Sequence, residues 1–401
     1  MKDPIRPYYF TWSPQADFTS IEVEHAEGAC FFLKSGAILY DMLSASFQAG
    51  FGHSHPLILD RMQNQLHGLM VAFPKAEFDL KTKVTAKLLQ YLGLKGGKIF
   101  YTVSGAEGIE NAAKMARQIR GKDIILARTN SFHGASLGAL SITGDWRNKA
   151  HHTVEEWTVR IPEPDVVGAL DATRKIILQT GPEKIAAICL ESISGANGVL
   201  TGNAEWWQGI QGFCDEFGCL LIMDEVLCGF QRTGRPFAFQ GFPVKPNFVV
   251  MGKAISAGYC PFGAVWTDAK VADYYADRTL ACGLTNYAHP LGLAAMDGVL
   301  DVLADPDFLH SVRELEQLFK AEMLALAKEP EFKAMRCHGL LAAADFSQPT
   351  KLNWQDFVAA GVFVFCNEQR LVLAPPMIMS REQLQICFTK IRQVIAARRL
   401  A

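Results

Sequence analysis

The chain has 401 residues, 49% hydrophobic and 20% charged, a globular composition, and at this length two domains are the default because single cores stop growing at roughly 250–300 residues. Lysine plus arginine number 39 against 41 aspartate plus glutamate, a formal net charge of -2, so no electrostatic pull toward nucleic acid or an anionic membrane is expected. The cysteines show neither zinc-knuckle nor CxxC spacing, MKDPIRPYYF is not a signal peptide, and no run reaches the ~18 apolar residues of a membrane span; the expectation is a soluble, cytoplasmic protein with reduced cysteines and no metal.

In chain order, residues 1–50 contain a hairpin signal around Lys34-Ser35-Gly36 and form the first part of a smaller domain. His53 and His55 in GFGHSHP have a metal-like spacing, but no acidic or thiol cluster accompanies them, and they read as structural turn residues. Residues 51–294 form a large domain, and from about 97 to 266 short apolar runs alternate with amphipathic segments, the pattern of a mostly parallel sheet flanked by helices. Strands are expected at Ile99–Val103, Ile124–Ala127, Ile185–Leu190, Cys219–Met223, Phe248–Met251 and Phe262–Trp266, with helices at Gly108–Arg120 and Glu205–Phe217. LLIM and FVVM are continuously apolar, as strands buried on both faces should be. Residues 295–401 are mainly helical, with short strands near Leu341–Asp345 and Arg370–Leu373, and complete the smaller α+β domain with the N-terminal segment.

Ligands of open parallel sheets bind beyond the carboxyl ends of the strands. Those ends carry Ser104-Gly105-Ala106-Glu107, Phe132-His133-Gly134, Glu191, Asp224-Glu225 and Gly252-Lys253. Ser104-Gly105-Ala106 opens a helix near Glu107, where free N–H groups and the helix dipole suit a phosphate, although SGAE also reads as a capping box. Asp224 follows LLIM into a poorly solvated crevice and needs a cationic partner: a protonated pyridine nitrogen, or an arginine such as Arg232. Lys253 ends FVVMG and precedes the small-residue loop AISAGYCPFGA; desolvation lowers a lysine's pKa toward nucleophilic reactivity, and such lysines form Schiff bases. A phosphate site, a buried acid and a buried lysine are the three attachments that pyridoxal 5'-phosphate (PLP) requires.

SGAEGIENAAKMAR (104–117), SFHG (131–134), DEVLCGFQRTGRPFAF (224–239), PNFVVMGKAISAGYCPFGAV (246–265) and LTNYAHPLGLAAM (284–296) resemble the class III, or omega-type, PLP-dependent aminotransferases, in that family's order and spacing. The resemblance implies PLP fold type I and an aminotransferase passing an amino group from an omega-amino acid or amine to an oxo acid by ping-pong kinetics. It also implies roles: Ser104, Gly105 and Ala106 at the phosphate, Phe132 stacked on the ring with His133 beside it, Val226 on the opposite face, and Asp224 at the pyridinium nitrogen. Glu191 is similar to the acid beside the phenolic oxygen, Lys253 to the lysine that carries the cofactor and moves the proton, and Thr285 to the threonine that reaches the partner's phosphate in a homodimer. Ala196, where relatives using 2-oxoglutarate often place a glutamate, and His289-Pro290 look more like the amine:pyruvate branch, so pyruvate is the favoured acceptor.

That branch often carries a carboxylate-binding arginine where alignment on Ala374-Pro375-Pro376 puts Phe365 or Cys366; Arg370 is the nearest substitute. Tyr8, Tyr9, Phe10 and Trp12 stand where relatives line the substrate pocket, with Trp12 the substrate-binding candidate and a core contribution as the alternative. Aminomutases, racemases, a decarboxylase and amine lyases of the family share the same cofactor residues, so fold does not separate these reactions.

Overall fold

Most of the strands between 97 and 267 form from short apolar runs, which can bury both faces only by lying between helices. In the computed structural model, which describes residues 7–16, 19–195 and 197–399, these are β4 (Lys98–Thr102), β5 (Ile124–Arg128), β6 (Thr158–Ile161), β7 (Ile185–Glu191), β8 (Leu220–Asp224), β9 (Phe248–Met251) and β10 (Gly263–Thr267), after an N-terminal β1 (Val23–Glu27), β2 (Cys30–Leu33) and β3 (Ile38–Asp41). They form a seven-stranded sheet ordered β4-β10-β9-β8-β7-β5-β6. Pairings from β6 through β5, β7 and β8 to β9 are parallel, and β10 runs antiparallel to both β9 and β4. β6 escapes sequence reading because TVRI is an edge strand with only Ile161 buried, and so lacks an apolar run. A mostly parallel sheet flanked by helices is the α/β architecture expected from the sequence.

Helices Gly105–Arg120, Ala169–Thr180 and Ala204–Phe217 make the crossovers. The first starts two residues before Glu107, with Ser104 as N-cap, and ends at Gly121 in the left-handed region (φ 61°), where glycine carries no Cβ penalty. Helix Pro290–Ala304 is the most buried: Pro290 sits in its first turn, Gly298 lets helix Pro56–Leu66 press against it, and a Cβ on Gly298 would lie 2.8 Å from Ile58 Cα.

The same helix carries Asp297, only 2% exposed, which collects Lys83 (3.2 Å), Lys87 and Arg61 from the two helices packed on it. Removing the carboxylate would leave Lys83 without its partner and Lys87 and Arg61 with Asp301 alone. Asp297→Ala is therefore expected to lose about 2–3 kcal/mol in a urea melt, below the ~3–5 kcal/mol of a fully buried pair because the lysines and arginine keep access to water.

The hairpin at Lys34-Ser35-Gly36 joins β2 to β3. Toward the C-terminus come β11 (Phe332–His338), β12 (Leu341–Phe346), β13 (Val362–Phe363), β14 (Phe365–Asn367) and β15 (Arg370–Leu373). β13 pairs in parallel with β3, so the two ends of the chain share one sheet, while β11, β12, β15 and β14 form another. The chain closes with helix Arg381–Arg399. Among the described residues no helix is long and apolar enough to cross a membrane, and no cluster of potential metal ligands occurs. His53 instead meets the Asp41 carboxylate at 3.0 Å.

Candidate active site

The parallel register brings the loaded strand ends together. Glu191, last in β7, is the register partner of Asp224, last in β8, and Asp224 is level with Val250, three residues before Lys253. The start of helix Gly105–Arg120 faces the same edge. Ser104 Oγ accepts from Glu107 N, and Glu107 reaches back to Val103 N instead of the N-cap, a capping box displaced by one residue. The first N–H groups of that turn, on Gly105 and Ala106, have no carbonyl within the helix to bond. Gly105 packs so tightly on Val226 that a Cβ would lie 2.6 Å from its Cγ2. A cavity of about 910 Å³ opens here, lined by Ser104, Gly105, Ala106, Phe132, His133, Glu191, Asp224, Val226 and Lys253.

Asp224 is 5% exposed. Its Oδ2 lies 2.7 Å from His133 Nδ1 and its Oδ1 accepts from Val226 N at 3.0 Å. Burial works against a charged imidazole, yet Cys189 and the bond to Asp224 hold His133 well above the usual histidine range. The His133 ring thus holds the Asp224 carboxylate from behind. Arg232, the alternative partner, is engaged elsewhere: it donates to Leu340 O, Pro375 O and Ser44 Oγ.

Lys253 adopts a left-handed φ of 48° at its strand end. Burial pulls its amine below the usual lysine value, Arg147 pushes the same way, and Asp224 and Glu191 oppose. Among the described residues Nζ meets the Phe47 ring at 5.7 Å, with no hydrogen-bond or ion-pair partner. Glu191 lines the cavity, and its Oε1 accepts from Phe132 N (3.1 Å) and Ser194 Oγ (2.8 Å) and lies 3.7 Å from Arg128, so it pins the backbone of Phe132. Burial raises its pKa, and Arg128 opposes.

Phe47 was not singled out by sequence. It ends a run, Ser44–Phe47, with φ between 44° and 72° at every residue and no glycine among them. Such a conformation costs roughly 1–2 kcal/mol per residue and persists only where its surroundings dictate it. Asp41 accepts from Leu43 N (3.0 Å) and Ala45 N (2.7 Å), and Ser44 Oγ donates to Ala374 O at 2.6 Å. The outcome is an aromatic ring beside the Lys253 amine.

Trp12 lines the cavity, whereas Tyr8 and Tyr9 are 60% and 88% exposed. Phe365, at the place aligned with the family's arginine, is a wall residue, and Cys366 is buried. Arg370, the substrate-binding candidate, does not line the cavity: its Nε is 3.5 Å from Asp345, and its guanidinium covers Gly198, behind the cavity residue Asn197. A carboxylate on the neighbouring strand draws it away. Thr285 is exposed and outside the lining, and Ala196 lies outside the described residues. Arg147 and Trp146, also unforeseen, stand beside Trp12 and Phe132; TGDWRNK offers only the N-cap Asp145 as a signal.

The family model for "Aminotransferase class-III" matches residues 11–395. The chain belongs to the class-III aminotransferases. It is 26% identical over 387 residues to an acetylornithine aminotransferase of Bacillus subtilis, covering 94% of this chain and 95% of that protein. An ornithine aminotransferase of Oceanobacillus iheyensis is 28% identical over 391 residues, 94% of each. Among solved structures, taurine:2-oxoglutarate aminotransferase from Bifidobacterium kashiwanohense, in complex with PLP and glutamate, superposes with a TM-score of 0.92 at 28% identity, covering 97% of this chain and 95% of that one. Class-III membership makes the chain a PLP-dependent transaminase.

The site fits that cofactor. The glycine-walled helix start admits a phosphate to unpaired backbone N–H groups but leaves no room for a side chain. The half-buried Lys253 has no competing hydrogen-bond or ion-pair partner among the described residues, and the buried Asp224 is bonded from behind by His133.

Proposed function

We propose that this chain moves an amino group from an omega-amino acid or amine to an oxo acid, pyruvate favoured, by ping-pong turnover. The observation that carries the reading is the convergence on one cavity of an unpartnered, desolvated Lys253 with an Asp224 backed by His133. When bound, PLP supplies an electron-withdrawing ring that stabilises negative charge on the donor carbon.

The protein's part is positioning and proton movement. The N–H groups of Gly105 and Ala106, with Ser104, bind the phosphate; Phe132 and Val226 bracket the ring; Glu191 holds Phe132 at its angle. Asp224 keeps a proton on the ring nitrogen. Lys253 Nζ would hold the cofactor and would serve as the base that moves the proton at the amino-bearing carbon. Its lowered pKa suits this: an amine that sheds its proton below the usual lysine value is a competent base nearer neutrality. Phe47 keeps water from that amine.

The active unit in this reading is a homodimer, with Thr285, exposed and outside its own chain's cavity, at the partner's phosphate. His289-Pro290 after Thr285 supports pyruvate; the taurine relative, named for 2-oxoglutarate, makes that acid the second acceptor to offer. A donor supplied without acceptor should be consumed to one equivalent per bound cofactor and then stop, restarting when pyruvate is added. Continued consumption without acceptor would assign the protein to the lyase or mutase chemistry of its family instead.

A further inference from the structure

One cation of the cavity wall has no part in the scheme above. Arg147 sits in the short helix Trp146–Lys149, just after the N-cap Asp145. Its guanidinium carbon lies 4.5 Å from the Phe132 ring centroid, 4.9 Å from Trp12 and 5.2 Å from Trp146. A planar, weakly hydrated guanidinium is suited to such a box, and a lysine ammonium is not. Asp145 takes one end of the group through Nη1. Nε is buried and, among the described residues, neither it nor Nη2 has a hydrogen-bond acceptor.

Nε and Nη2 form the fork that grips both oxygens of an acid group. A buried donor left unpaired is costly, so an incoming anion finds a prepared partner. The side chain is 17% exposed, which spares the pairing much of the screening that weakens surface ion pairs. Apart from Lys253, the described lining holds no other lysine or arginine: Phe365 occupies the aligned arginine position, and Arg370 is drawn off by Asp345. Because Arg147 stacks on Phe132, the ring proposed to cover the cofactor, an acid group bound there lies at the cofactor's flank. One fork suits one acid group.

We infer that Arg147 is the acid-group receptor of both half-reactions, taking the distal carboxylate or sulfonate of an omega-amino acid donor and then the single carboxylate of a mono-acid acceptor. This rests on the transaminase reading above and names its substrate class. Asp145 acts as a positioning residue, holding the guanidinium through Nη1 and leaving Nε and Nη2 unpaired among the described residues.

The test uses holoenzyme with three donors: 3-aminopropanoate, 2-aminoethanesulfonate and propylamine, the last lacking an acid group. In Arg147→Met, the KM for both acid-bearing donors is expected to rise about 10- to 100-fold, as for loss of a charge-assisted pair. The kcat/KM for propylamine should hold or improve. Arg147→Lys, which keeps charge but loses the fork, should restore only part of the loss. Trp12 and Trp146 flank the guanidinium, so quenching of tryptophan fluorescence by propanoate reports binding without turnover; Arg147→Met should abolish it.

Equal losses for propylamine and the acid donors would make Arg147 a structural strut and overturn the inference, as would an unchanged KM for the acids. If the unaltered enzyme transaminates none of the donors, the transaminase reading is the one in trouble. The propanoate titration then still decides Arg147: quenching lost in Arg147→Met supports the site, and quenching unchanged rejects it.

Discussion

Lys253→Ala is expected to lower turnover by about 10⁴-fold or more while leaving the fold intact. Two jobs fall on one amine in this reading, holding the cofactor and moving the proton, and each is ordinarily worth several powers of ten. No described side chain stands ready to replace it: the neighbouring acids are tied to His133, Phe132 N and Ser194, and Arg147 does not give up its proton. The phosphate contacts at Gly105 and Ala106 do not depend on Lys253, so the variant should still take up PLP, but reversibly, losing it on dialysis. Circular dichroism and single-turnover kinetics check both halves, and near wild-type activity would sink the mechanism.

Asp224→Ala should slow the proton-transfer step by about 10²- to 10³-fold, the scale of losing one well-placed charge in a desolvated site. It should also change stability against pH in a direction the geometry fixes. In the native protein His133 has a raised pKa, so its bond to Asp224 contributes stability that is complete below the histidine reference of 6.5 and fades as pH rises through the raised folded value. Without the carboxylate, burial works against the imidazolium with Cys189 left to oppose it, so the folded pKa falls from its native value. The variant therefore gains less stability than the native protein as pH falls through the same region. Urea melts of cofactor-free protein between about pH 5 and 8 should show the gap between native and variant widening toward acid, reaching about 3 kcal/mol if a buried charge is stranded. A gap that narrowed toward acid would mean that His133 is not the group Asp224 holds.

The strands were legible where both faces are buried, since LLIM and FVVM admit no other reading, and with them came the strand-end positions of Asp224 and Lys253. What periodicity could not supply was side-chain direction. Arg370 alternates on a short strand where sequence allows either face, and Asp345 across the ladder settles it away from the cavity. Glu191 was found, but its tie to Phe132 N depends on where the 128–134 loop folds back over β7, which no local signal encodes. Arg147 and Phe47 were invisible for a related reason. One needs three rings from separate segments to make its box, and the other needs a left-handed run held by Asp41 and Ser44. Both are products of tertiary context, whereas Lys253, Asp224 and the helix start at Ser104 are written into local sequence.

The central claim is that Lys253 is the amine on which this chemistry is built. Sodium borohydride added to the holoenzyme fixes the cofactor to whichever amine holds it, and peptide mass spectrometry then reads the position. The account requires the reduced pyridoxyl group on the peptide containing Lys253 and on no other, with none retained in Lys253→Ala. A label on a different lysine, or a cofactor that washes away unreduced from the native protein, would contradict it.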